Sequence, residues 1–161
     1  MVVTTHFIDN GLKLQNRILS STVSDWGAVC SLEGTSLVWL KINVDGAVDT
    51  VSGAAAVGGV FRSSTGEWYF GFAHSIGFCS SLNVELWAIL DGLRHAWRMG
   101  LFRIIIEMDC LEAVRCIEKG TAIPICNVLL IVISGMVQRD WGVLFEHVPR
   151  RVNEVADGLA R

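Results

Sequence analysis

Positive charge is in short supply in this chain: 13 lysines and arginines stand against 16 aspartates and glutamates, for a formal net charge of −3. No global positive field therefore draws it onto nucleic acid or an anionic membrane, and any contact with a polyanion has to be local. Charge of either sign is sparse, at 18% of residues against 52% hydrophobic. That balance excludes wholesale disorder and leaves much apolar surface to bury. The five cysteines, Cys30, Cys79, Cys110, Cys116 and Cys126, form no C-x-x-C pair and have no histidine at ligand spacing, so neither a zinc site nor a redox motif is indicated. Their odd number, without a signal-peptide pattern, points to buried thiols inside the cell; nucleus and cytoplasm stay equally open. Long hydrophobic runs are also missing. The longest uncharged stretch, Thr121 to Gln138, approaches the ~20 apolar residues of a membrane span but holds Pro124, Asn127, Ser134 and Gly135. It reads as a buried core helix, and no membrane partner is expected.

What is present fits one α/β domain, since 161 residues can bury a core without disulfide or metal staples. Residues 1–35 lack sustained periodicity and read as an irregular leader; residues 36–161 form the domain. From Val38 the pattern sharpens. Leu40, Ile42 and Val44 alternate with Lys41, Asn43 and Asp45 as a strand does. Ala54 to Arg62 and Trp68 to His74 flank the turn-forming run 63–66, the mark of a hairpin. Ser80 and Ser81 precede a helical stripe of Leu86, Leu90, Leu93 and Trp97, with Gly100 placed to stop it. Phe102 to Met108 reads as a buried strand, Asp109 to Lys119 as a short helix, and Pro124 or Ile125 opens a longer helix to about Arg139. Trp141 to Val148 returns as a strand and Val152 begins a last helix. The inferred order is β-β-β-α-β-α-α-β-α, a mixed sheet covered by helices.

Four acids fall where such a sheet brings segments together. Asp45 ends the first strand, Glu85 lies in the first turn of the helix, Asp109 ends the fourth strand, and Asp157 sits on the last helix. Hard divalent cations such as Mg²⁺ prefer carboxylate oxygen, and two ions roughly 3.5 to 4 Å apart can activate water and stabilise the leaving oxygen of a phosphodiester. Each acid also has a bland explanation. Asp45 before Gly46 suits a turn, Glu85 suits a helix dipole, Asp109 with Glu112 resembles a capping box, and Asp157 suits a solvated helix face. Joint occurrence favours the metal site. Glu107 reads as a polar residue at a strand end, and the tryptophans as packing groups. Arg150 and Arg151 stay open between phosphate contact and plain surface charge.

Four stretches carry a more specific signal: KINVDGA around Asp45, SSLNVELWAILDGL around Glu85, IIIEMDCLEAV around Asp109 and HVPRRVNEVADGLA around Asp157. Together they resemble a type-1 ribonuclease H domain of the plant reverse-transcriptase-like, retroelement-derived form. The resemblance implies a ribonuclease H-like fold, with a five-stranded mixed sheet flanked by helices, and a metal site of Asp45, Glu85, Asp109 and Asp157 holding two Mg²⁺ ions, or Mn²⁺. It implies that His147 assists proton transfer or product release, and that Gly46, Ser81, Asn153 and Arg150 are the candidate substrate contacts. The expected activity is metal-dependent endonucleolytic hydrolysis of RNA paired to DNA, by a single copy of the chain. Ser81 and Leu82 stand where better-known members have paired asparagines. The alternative is a weak or inactive nucleic-acid-binding relic of a retroelement ribonuclease H.

Overall fold

The computed structural model describes residues 6–8, 39–119 and 128–161. The strands are β1 (His6–Ile8), β2 (Leu40–Val48), β3 (Ala54–Arg62), β4 (Trp68–Phe78), β5 (Arg103–Met108) and β6 (Gly142–His147). The helices are α1 (Ser81–Arg98), α2 (Leu111–Glu118), α3 (Val128–Val137) and α4 (Glu154–Ala160), the last preceded by one 3₁₀ turn, Arg150–Val152. From residue 36 onward the elements follow the order inferred from sequence. One strand was not foreseen: three leader residues, too few to show a period, pair antiparallel with residues 71–73 of β4. The rest of the leader, and the proposed helix start at Pro124, lie outside the described residues.

The sheet has the order β1-β4-β3-β2-β5-β6. β2 is parallel to β5 and β5 to β6, while the other neighbours are antiparallel. Alternation along β2 divides its labour. Ile42 and Val44 are fully buried in the core with Ile104 and Ile106 of β5, together with Leu86, Leu90 and Leu93 of α1. Burial of each such side chain stabilises by about 1.5–3 kcal/mol. Asn43 and Asp45, of the opposite parity, lie on the side of α4, as the hydrogen bond from Asn43 to Asn153 shows.

Helix α1 starts where Ser80 accepts from the Asn83 N–H and stops at Gly100, whose φ of +70° ends the helical run at little steric cost. The stripe weakens at its end: Trp97 is half-exposed, edge-on to Trp141 and beneath the Arg139 guanidinium. The described part of the uncharged stretch, from Val128 on, is also less buried than expected. In α3 only Ile133 and Met136 are buried, and Val128 and Ile131 face solvent. No helix among the described residues is long and apolar enough to cross a membrane. The three described cysteines are free, Cys116 buried and Cys79 and Cys110 half-buried.

Candidate active site

The first acid is placed by a strand that does not stop where the sequence suggested. β2 continues to Val48, and Asp45 pairs with Gly58 of β3 inside the ladder, so the turn explanation fails. Gly46 is needed for a different reason: a Cβ there would lie 2.6 Å from the carbonyl carbon of Val84 and 2.7 Å from its oxygen. Strand and helix touch through their main chains at this point. Gly46 also donates its N–H to the Glu85 carboxylate, which makes it a packing and orienting residue.

Glu85 is the fifth residue of α1, beyond the first turn, and that turn contains no acid. The helix-dipole explanation therefore does not hold it there. Its second carboxylate oxygen is buried without a hydrogen-bond partner among the protein groups, an arrangement that costs free energy unless a ligand meets it. Asp109 follows β5 directly. Cys110, with no side-chain cap bond, is the N-cap of α2, so the capping-box reading of Asp109 and Glu112 is not realised.

One oxygen from each of Asp45, Glu85 and Asp109 lies within 4.8 Å of the others. The electrostatic consequence is large. Asp45 is pushed up to about 7 by burial first, then by the charge of Asp109, a hydrogen bond with it, and Asp157, with Arg150 opposing. Glu85 is pushed up to about 8 by burial and then by the charges of Asp45 and Asp109, against the Gly46 N–H and Arg150. The cluster behaves as carboxylates lacking a counter-ion.

Asp157 faces the same cavity, of about 620 Å³, whose lining includes Asp45, Gly46, Glu85, Asp109, Arg150 and Arg161. Helix α4 reaches it because Gly58 clears the way: a Cβ there would meet the Ala160 nitrogen and the Leu159 Cβ, both at 2.6 Å. The carboxylate does not join the other three. Its Oδ1 accepts from Arg150 Nη2 at 2.8 Å and from Arg161 Nη2 at 2.9 Å, and Arg150 Nε lies 4.0 Å from Asp109 Oδ2. Burial works to raise Asp157, but the hydrogen bonds from Arg161 and Arg150 outweigh it and hold the group below the usual carboxylate range.

His147 ends β6 beside Met108 and donates Nε2–H to the Asp109 carbonyl oxygen at 3.2 Å. It is exposed at the rim and does not line the cavity. Two of the four candidate substrate contacts lie outside the cavity lining. Asn153 is fully buried: its Oδ1 accepts from Asn43 at 3.1 Å and its Nδ2 donates to the Val44 carbonyl at 2.9 Å. It pins α4 to β2 and, fully buried, presents no atom to substrate. Ser81 is exposed at the start of α1 and outside the cavity lining, because Ser80 takes the capping role. Gly46 and Arg150 do line the cavity.

Glu107, two residues before Asp109, is buried in ion pairs with Lys41 and Arg62 and accepts from Asn43 at 3.1 Å. Burial acts to raise it, yet those two cations bring it below the usual range. Arg161 was not foreseen, although its i,i+4 spacing from Asp157 is a legible ion-pair signal.

Residues 43–161 match the family described as reverse transcriptase-like. An Arabidopsis thaliana protein provisionally named a ribonuclease H protein is 40% identical over 124 residues, 76% of this chain, which spans about a fifth (20%) of that relative's length. Among solved structures, a ribonuclease H1 from Halobacterium salinarum superposes with a TM-score of 0.68 at 25% identity, covering 76% of this chain and 94% of that one. The N-terminal ribonuclease H domain of a Mycobacterium tuberculosis protein gives 0.69 at 22% identity, over 76% and 91%. A further ribonuclease H1, solved in complex with an RNA/DNA hybrid, gives 0.68 at 21% identity, over 75% and 93%.

Proposed function

Because the chain belongs to the reverse transcriptase-like family and is a ribonuclease H domain, we propose that it hydrolyses the RNA strand of RNA/DNA hybrids in a metal-dependent endonuclease reaction. One observation carries this reading: three carboxylates from three separate elements converge within 4.8 Å at an open cavity. The donors fit a hard divalent cation of the Mg²⁺ or Mn²⁺ type, since all are carboxylate oxygens and one, on Glu85, lacks any partner. Asp45, Glu85 and Asp109 would hold it, with Asp157 facing the cavity as a ligand for a second ion. Bound there, such a cation activates water and stabilises the leaving oxygen of a phosphodiester.

The chain's own groups supply the rest. Gly46 fixes the Glu85 carboxylate, Asn153 fixes the helix that carries Asp157, and Arg150 presents a guanidinium to incoming phosphate. His147 stands beside Asp109, where its ring can carry a proton to or from the cut end. Selectivity for a hybrid would come from minor-groove shape and 2′-hydroxyl contacts rather than from base sequence. The reading is tested by cleavage of labelled hybrid, duplex DNA and duplex RNA with and without Mg²⁺. Cleavage of hybrid RNA alone, only with the cation, is the expected result; equal cleavage of all three, or none, overturns it. A second reading, a relic that binds hybrid without turnover, is favoured by the two guanidiniums on Asp157 and would give hybrid binding with no cleavage.

A further inference from the structure

Among the described residues, the only cations of the chain lining the cavity are the guanidiniums of Arg150 and Arg161. Arg161 sits one helical turn beyond Asp157 and reaches that acid alone, at 2.9 Å. Arg150 is different. It leaves the body of the domain on a 3₁₀ turn after Pro149, is two-thirds exposed (66%), and spans two acids, Asp157 at 2.8 Å and Asp109 at 4.0 Å. It therefore stands where positive charge is wanted and is held by contacts weak enough to break, since exposed ion pairs contribute little.

We propose that Arg150 is an exchangeable internal counter-ion: it occupies the Asp157–Asp109 side of the cavity in the metal-free domain, yields Asp157 when a divalent cation enters, and turns its freed guanidinium to a backbone phosphate of the hybrid. The proposal rests on the nuclease reading and deepens it. Arg150 is in this sense a positioning residue that couples cation entry to substrate grip. Two opposite consequences follow from one side chain. As a competitor for Asp157 it weakens cation binding. As a phosphate contact it strengthens hybrid binding, and only after the cation has displaced it. A residue with a merely structural role would not tighten cation binding when removed.

The test compares wild type with Arg150→Ala and Arg150→Gln. Mn²⁺ binding is measured by calorimetry, and binding of a cleavage-resistant 2′-O-methyl RNA/DNA hybrid by fluorescence anisotropy across a salt series, with and without Mn²⁺. Both variants should bind Mn²⁺ about threefold to tenfold more tightly at the weaker site. With Mn²⁺ present they should bind hybrid more weakly, with the salt slope reduced by about one; without Mn²⁺ the loss should be smaller. Mn²⁺ affinity equal to or below wild type overturns the proposal, as does an unchanged hybrid slope with Mn²⁺ present. Wild-type protein that binds neither Mn²⁺ nor hybrid would overturn the nuclease reading along with it, whereas wild type that binds both, beside unaltered variants, would overturn the exchange alone.

Discussion

Glu107 and Asp109 stand two residues apart on one chain segment, and their surroundings could hardly differ more. Around Glu107, Lys41, Arg62 and Asn43 meet every demand of a buried carboxylate, and Asn153 extends the same network to α4. Around Asp109, Asp45 and Glu85 crowd in with their own negative charge, and Glu85 keeps an oxygen with no partner. Both regions lie along the same two parallel strands. The first holds the fold together; the second crowds like charge, the arrangement that marks functional sites. Acid content alone does not separate structure from function, but the supply of counter-charge does.

The sharpest way to break the comparison is to neutralise each acid. Asp45→Asn or Asp109→Asn should reduce hybrid cleavage to background while the melting temperature holds or rises, since an amide keeps the shape and removes the repulsion. Measurable cleavage in either variant would remove the site assignment. His147→Ala should slow turnover by about 10²- to 10⁴-fold without erasing it, the range of general acid-base assistance; single-turnover rates equal to wild type would reduce it to a rim residue. Glu107→Ala should do the reverse of the aspartate variants. Stranding Lys41 and Arg62 should cost about 2–4 kcal/mol by urea denaturation, less than for a fully buried pair because both cations still reach solvent. A loss below about 0.5 kcal/mol would show that the two regions do not differ in kind.

Next comes pH. Asp45 and Glu85 titrate near 7 and 8 in the folded, metal-free state, above their unfolded values, so the folded state binds more protons between about pH 4 and 8. The stability this contributes is fully present below pH 4 and is lost as pH rises through 7 and 8. The metal-free domain should therefore lose on the order of 1–3 kcal/mol from pH 5 to 9, and saturating Mg²⁺ should remove most of that slope. A metal-free profile that is flat or rises over this window would contradict the crowding of the three acids. The smallest effect is expected at the edge of the sheet: deletion of residues 1–35 removes β1, three residues pairing only with β4, and should cost about 1 kcal/mol or less and leave cleavage intact. Loss of soluble protein would show that the leader belongs to the domain.

The sequence displayed the sheet clearly because alternation in β2 and consecutive isoleucines in β5 are local patterns tied directly to burial. It displayed the acids by their motifs, yet misjudged their local settings. Asp45 was read as a strand end because Asp-Gly is also turn chemistry, and only the proximity of Val84, 38 positions away in the chain, shows why glycine is required. The resemblance makes Asn153 a candidate substrate contact, and only the bond from Asn43, 110 positions earlier, shows that it is buried within the fold. Long-range pairs of this kind leave no periodicity. Glu107 reads from sequence as a plain strand-end residue, since the two cations that bury it come from two other strands, β2 and β3.

The main-chain contact at Gly46 sets a dimension. Two carboxylates whose supports are separated by compressible side chains can drift apart to suit whatever ion arrives. Asp45 and Glu85 ride on a strand and a helix whose backbones already touch, and packed protein interiors compress little. Their separation is consequently gauged by atomic radii, as a caliper is by its jaws, and an oversized ion can be met only by rotation of the carboxylates themselves. Gly46→Ala, whose Cβ would stand 2.6 Å from the Val84 main chain where ordinary contact begins at 3.4 Å, should therefore spread the jaws and change which ion radius the domain prefers while keeping the same ligand residues.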